Sequence, residues 1–279
     1  MKYLDDITRA RLKRELSWGQ STPSPDRYQR TMQLQREILE QYGRRGAEFI
    51  MAQQGLMTSP DDHGPWQLDG LDSRAAVDQV LAPVASLLPR LLATLRERIR
   101  YVIPARRDDA SVLVYVTDRL LSDGRPHFQL LVGGAPNNAP QLAPRATYTG
   151  WQVPASLRLL CSVHDGFAVG SHGVLAARRM ADLGEIMEGI DEEQPAASHA
   201  CRDLLEFHPD GAGNCQAFFR CGADDPDPGT VFWDHELNEL HAPKPFFEYV
   251  DDILAFCLRD ETQCSDSMLT GLAVGRNLT

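Results

Sequence analysis

The sequence predicts an α+β fold, with an antiparallel sheet covered by helices and preceded by a helical N-terminal segment. Three observations carry this expectation. Through the first hundred residues apolar side chains recur at helical spacing. From about Ser111 the pattern changes to β-branched and apolar runs separated by Gly-, Pro- and Asp-rich turns. Near the end, Pro245 to Leu258 returns to an amphipathic helical pattern.

Taken in order, Tyr3, Leu4, Ile7 and Leu12 open the helical pattern, and Ser21 to Pro25 interrupts it. A second helical run starts near Asp26, with Tyr28, Met32, Gln35, Ile38, Leu39 and Tyr42 on one stripe. Residues 56–72 (LMTSPDDHGPWQLDGLD) read as a loop. Ser73 then offers an N-cap for one long helix to about Arg100, whose apolar stripe from Val77 to Ile99 is core-forming. Ser111–Thr117 and Phe128–Val132 read as strands joined through Ser122-Asp123-Gly124-Arg125, a hairpin signal. Pro154 to Val163 reads as a short helix with Pro154 in its first turn. Leu204–Phe207, Cys215–Arg220 and Thr230–Trp233 complete the strands, and the last helix turns Phe246, Tyr249, Val250, Ile253, Leu254 and Cys257 inward.

At 279 residues the chain has room for one large domain or two smaller ones. With 43% hydrophobic and 24% charged residues, it has the composition of a globular protein. No apolar stretch is long enough for a membrane span, and the start (MKYLDDITRARLKRELSWGQ) has no apolar core of a secretory signal. Six dispersed cysteines with no C-x-x-C pair fit a reduced, cytoplasmic protein. The net charge of −11 is uneven, because residues 151–279 alone carry 8 basic and 22 acidic side chains. That excess argues against nucleic acid as a ligand and favours a basic partner.

The stretch HPDGAGNCQAFFR (208–220) concentrates the residue types that chemistry uses. A calcium loop counted from Asp210 puts Ala212 at its third position and Cys221 at its twelfth, where oxygen ligands are needed. His235-Glu236 is followed by His241, six residues from the first histidine, so the zinc-hydrolase spacing H-E-x-x-H is not met. A metal site from His208, Cys215, Cys221 and His235 on neighbouring strands is the remaining metal arrangement. Gly170-Ser171-His172-Gly173 does not match the nucleophile elbow, and no phosphate-binding glycine loop occurs. The stretch therefore reads as a hairpin corner. Pro209-Asp210-Gly211 has turn chemistry and Gly213-Asn214 tolerates positive φ. Beyond it, Gln216 and Phe218 face one side of a sheet and Ala217 and Phe219 the other.

The order of corners in the C-terminal half resembles a known family. WQVPASLRLLCSVHDGF ends in the Asp165-Gly166 step, and GVLAARRMADL supplies the short strand and helix start after it. LLEFHPDGAGNCQAFF gives strand, turn and strand, TVFWDHE the next strand, and PFFEYVDDIL the closing helix. Together these are similar to the SUKH superfamily, the Smi- and Knr-like proteins, over about residues 150–256. The resemblance divides the chain into a helical segment, 1–72, and a SUKH-like α+β domain, 73–279. It implies a fold without catalytic machinery or cofactor, in which Asp210-Gly211, Gly213 and Asn214 shape a hairpin and Trp233 packs in the sheet.

The resemblance further implies an immunity protein that binds and neutralises a cognate bacterial toxin domain by occlusion, with no catalytic, cofactor or metal site. The acidic excess fits a toxin with a basic surface. The expected contact residues are Asp224, Asp225, Asp227, Asp234, His235 and Glu236, acidic or aromatic residues on loops and strand ends. Neither nucleic acid nor membrane is an expected partner. The alternatives are a regulatory scaffold like the fungal relatives and a metal-dependent hydrolase using His208 and His235.

Overall fold

The computed structural model describes residues 25–58, 64–120, 124, 126–170, 172–183, 204–210, 213–220, 225–234, 236, 239–241 and 243–260. These residues form an α+β structure with two antiparallel sheets rather than one. The helix expected around Tyr3 to Leu12 lies outside the described residues.

Helices α1 (Pro25–Tyr42) and α2 (Arg44–Gln53) lead into a two-residue strand, β1 (Leu56–Met57). β1 pairs with the end of β2 (Ile99–Arg107), so the segment before residue 73 contributes to the first sheet. That sheet is a meander in which β2, β3 (Ala110–Leu120), β4 (Pro126–Gly134), β5 (Phe167–Val169) and β6 (His172–Val174) follow in spatial order.

The middle of β3, Val112 to Val116, is continuously apolar because both its faces are covered. Val112, Val114 and Val116 join Ile38, Ile50, Met51 and Leu56 on the α1–α2 side. Leu113 and Tyr115 point the other way, into the main core with α3 (Ser73–Leu81) and α4 (Pro89–Arg98).

The single long helix expected over 73–100 is two helices. A 3-10 turn at Ala82–Val84 carries Pro83, and α4 begins on Pro89. Neither proline has an N–H to continue a helical ladder. The cap is Asp72, not Ser73. The Asp72 carboxylate accepts from the Ala75 N–H at 2.8 Å, while Ser73 Oγ donates to the Arg100 carbonyl. From Ile99 onward the chain is strand, and its β-branched residues Ile99, Val102 and Ile103 suit that state.

Helix α4 is anchored by the last helix, α7 (Phe246–Leu258). Asp251, only 4% exposed, accepts from the N–H groups of Leu91 at 2.7 Å and Arg90 at 3.1 Å. One carboxylate thus satisfies two donors at a positively polarised helix start. Arg90 also pairs with Asp252, and Arg98 with the buried Asp260 at 2.6 Å.

The second sheet runs β7 (Ala181–Asp182), β8 (Leu204–Pro209), β9 (Cys215–Phe219), β10 (Thr230–Asp234), β11 (Glu239–Leu240). Leu205, Phe207 and Phe218 enter the main core. Phe246 of α7 stacks on Phe218 at 4.9 Å and meets Phe207 edge-on at 5.2 Å. On the opposite face Leu204, Cys215, Ala217, Val231 and Trp233 form a separate cluster, with Phe219 against it. The expected division of Phe218 from Ala217 and Phe219, and the placement of Trp233 within the sheet, both hold. Between β4 and β5 in the chain lie the short helices α5 (Pro144–Tyr148) and α6 (Ala155–Cys161), and α6 lies within the predicted Pro154–Val163 helix.

Candidate functional site

The 208–220 stretch is a hairpin corner. β8 and β9 pair antiparallel up to Pro209 opposite Cys215. The Asp210 N–H donates to the Asn214 carbonyl at 3.0 Å, and the Asn214 amide donates back to the Asp210 carboxylate at 2.8 Å. Gly213 sits at φ 111°, a conformation that a Cβ makes costly. Gly211 lies outside the described residues.

His208 is buried behind this corner. Its Nδ1 is hydrogen-bonded to the Tyr249 hydroxyl of α7, and Nε2 has no partner. Burial pushes its pKa down to about 4; nearby His172 adds to the fall and Asp210 opposes it. His208 therefore faces the α7 side, whereas Cys215 belongs to the cluster on the other face of the sheet. The two cannot be ligands of one ion in this sheet. Cys221 and His235 lie outside the described residues, and among the described residues no group of three or more His, Cys, Asp or Glu side chains is placed to hold a metal.

His164 is likewise a core residue. It is fully buried, with Nδ1–H donating to the Gly134 carbonyl at 2.8 Å and Nε2 accepting from the Tyr115 hydroxyl at 2.8 Å. Burial lowers its pKa to about 4 against the opposing pull of the Gly134 bond. A Cβ on Gly133 would lie 2.3 Å from this ring, so the close approach of strand to imidazole requires glycine there. Next to it, Asp165 accepts from the Ala177 N–H at 2.8 Å and the Asn137 amide at 2.9 Å. The acidic neighbour of His164 thus closes a turn and does not face the ring nitrogens.

The four expected contact residues that the structure describes, Asp225, Asp227, Asp234 and Glu236, do not form one patch. Asp225 and Asp227 precede β10, whereas Asp234 and Glu236 follow its start by the length of the strand, about 17 Å. Asp224 and His235 lie outside the described residues. Asp225 and Glu236 are exposed, and Asp234 is half-buried with its carboxylate accepting from the Glu236 N–H at 3.0 Å.

Asp227 is exposed, and its carboxylate is also engaged within the fold. Its Oδ1 accepts from the Ser156 N–H at 2.8 Å, and the neighbouring Pro226 carbonyl accepts from the Ala155 N–H at 2.9 Å. The 225–228 turn therefore satisfies two of the N–H groups at the start of α6, which has no cap of its own because Pro154 has no side-chain acceptor. Asp225 in turn accepts from the Asp227 N–H at 3.1 Å, which fixes the turn.

This docking of turn on helix borders an open groove of about 660 Å³. Trp151, Arg158, Leu159, Arg220, Asp225 and Pro226 are among its walls. Arg220 lies over the Trp151 indole, 4.7 Å from the ring centroid, and donates to the Gly150 carbonyl at 3.1 Å. Of the described expected contacts, only Asp225 lines this groove. Trp151 and Arg158 lie in one stretch of sequence, but Arg220 comes from just past the far end of β9, so sequence reading alone does not bring the three together. The one available signal was that Arg158 and Leu159 fall between the core positions Leu157 and Leu160, which turns them outward.

The acidic excess of residues 151–279 is partly internal. Asp165, Asp227, Asp251, Asp252 and Asp260 are all spent on caps, turns or ion pairs within the fold. The excess therefore overstates the charge available to a partner. Among the described residues no helix is long and apolar enough to cross a membrane. Comparison of the chain with protein-family models, curated proteins and solved structures returned no match.

Proposed function

We propose that this chain is a stoichiometric binding protein of the immunity type, which occludes a cognate toxin domain and carries out no reaction itself. One observation carries the reading. The stretch that concentrates catalytic residue types, 208–220, is spent on closing a hairpin and filling the core, while exposed carboxylates and an Arg- and Trp-lined groove face outward. The ordered series of corners from Trp151 to Leu254 supports the SUKH resemblance, whose bacterial members include immunity proteins. Exposed Asp225 and Glu236 give the molecule acidic points that speed encounter with a basic surface.

The test is co-expression with the product of the adjacent coding sequence, followed by size-exclusion chromatography and calorimetry of the purified pair. The expected result is a complex of fixed stoichiometry and loss of the toxin's activity at one equivalent. A toxin that remains fully active in excess of this protein, with no complex formed, would refute the proposal.

A further inference from the structure

We infer that the open edge of β4, at Phe128 and Leu130, takes an extended segment of the partner as an added strand; this rests on the binding reading above.

The first argument is main-chain direction. β3 and β4 pair without a break from Val112 opposite Gly134 to Leu120 opposite Pro126. The Gly134 N–H donates to the Gly166 carbonyl, so it faces away from β3. Main-chain groups along a strand alternate between its two sides, so Val132, Leu130 and Phe128 face the same way as Gly134. β5 is three residues long and meets β4 only at Leu131, Val132 and Gly133. It stops short of Leu130. Among the described residues nothing bonds to the outward N–H and C=O groups of Leu130 and Phe128. Main-chain donors and acceptors are strong hydrogen-bonding groups, and these four are left to a partner.

The second argument is contrast with the far side of the same sheet. There β1 covers only Arg106 and Arg107 of β2. The rest of that edge is blunted. Pro104 has no N–H, and the register with β3 shifts between Ile99 and Tyr101. Prolines and bulges are the devices that keep foreign strands off an edge, and charged side chains are another. From His127 to Gly134, β4 has no proline, no bulge and no Lys, Arg, Asp or Glu.

The third argument is what such an edge holds. Two donors and two acceptors repeat at a spacing of two residues, about 7 Å, which is the repeat of an extended chain. The side chains of Phe128 and Leu130 are buried in the cluster with Ile38 and Val114. The edge therefore offers main chain rather than side chains. In an antiparallel addition, the arrangement of β4 with both its neighbours, residues opposite Phe128 and Leu130 point to the same face and extend that apolar layer. The incoming segment is thus apolar at two positions two residues apart.

The experiment measures amide hydrogen exchange by NMR on the full chain. In the free protein the Phe128 and Leu130 amides should exchange about tenfold or more faster than those of Gln129 and Leu131, which face β3. Slow exchange at both positions in the free chain would mean that the edge is already taken, by another part of the chain or by a second copy, and would overturn the inference. The product of the adjacent coding sequence is then added. Both amides should slow by about tenfold or more in the complex. A complex that leaves them unchanged overturns the inference while the immunity reading stands. If no complex forms, the immunity reading falls, and random peptides selected on phage against the full chain decide the edge. Selected peptides should carry two apolar residues two positions apart and protect Phe128 and Leu130, and aspartate at those two peptide positions should abolish the protection. A selection that yields no peptide protecting these amides overturns the inference.

Discussion

Removing the Asp227 carboxylate should destabilise the fold. Asp227→Ala deletes the acceptor 2.8 Å from the Ser156 N–H. Ser156 is buried, so water replaces that acceptor poorly. Loss of a helix cap costs about 1 kcal/mol, with a range of roughly 0.5–2. Helix α6 has only seven residues, too few to persist without its docking contacts. The neighbouring Ala155–Pro226 bond remains, which keeps the loss near a single cap. In a domain of this size each kcal/mol moves the melting temperature by roughly 2–4 °C. The expected drop in Asp227→Ala is therefore about 2–4 °C by circular dichroism, with an unchanged urea m-value. Asp227→Asn keeps an acceptor oxygen and should recover most of the loss. An alanine variant melting within 1 °C of wild type, or an asparagine variant as damaged as alanine, would show that the turn does not cap this helix.

Other outcomes follow from the same structure. Glu236→Lys should leave the melting temperature nearly unchanged and slow association with a basic toxin at low salt; equal rates at low and high salt would show that this charge serves solubility only. Gly213→Val should lower the melting temperature, because φ 111° costs a residue with a Cβ about 1 kcal/mol or more; an unchanged melt would remove the corner from the list of fold determinants. His164 and His208 have pKa values depressed to about 4 in the fold, below the ordinary value of 6.5. Both are neutral in folded and unfolded chains above pH 6.5, so their contribution is complete there. It is lost as pH falls from 6.5 toward 4, because the unfolded chain binds two more protons, at up to about 3 kcal/mol for each histidine. Urea melts at pH 7 and pH 5 check this, and His164→Gln should flatten the slope; a stability that does not fall on acidification would contradict the burial of both rings.

Several elements were legible in the sequence because their signals are local. The Asp210–Asn214 corner follows from turn chemistry, and the alternation of Phe218 with Ala217 and Phe219 from the two-residue period of a strand. The closing helix is equally plain, with Phe246, Val250, Ile253, Leu254 and Cys257 all buried at helical spacing. The 73–100 region was misread where two local signals compete. Ile99 continues a helical stripe but also opens a β-branched run, and pairing with β3 decides for the strand. Pro83 and Pro89 marked the break and were outweighed by the apolar stripe.

Composition, turn residues and apolar periods determined by themselves that this chain mixes helices with antiparallel strands and that 208–220 is a corner. Each of those facts depends on residues within a few positions of one another. Tertiary structure alone decided the roles of the charged residues. The sequence shows Asp227 as one acid in an exposed loop, but the fold brings it from 71 residues away to the start of α6. In the same way Asp251 reaches α4 across 160 residues, and Arg220 comes to lie over Trp151. A carboxylate finds its donor, and a guanidinium its ring, only after the main core has closed. Burial of apolar surface sets that closure without regard to which polar groups it will bring together.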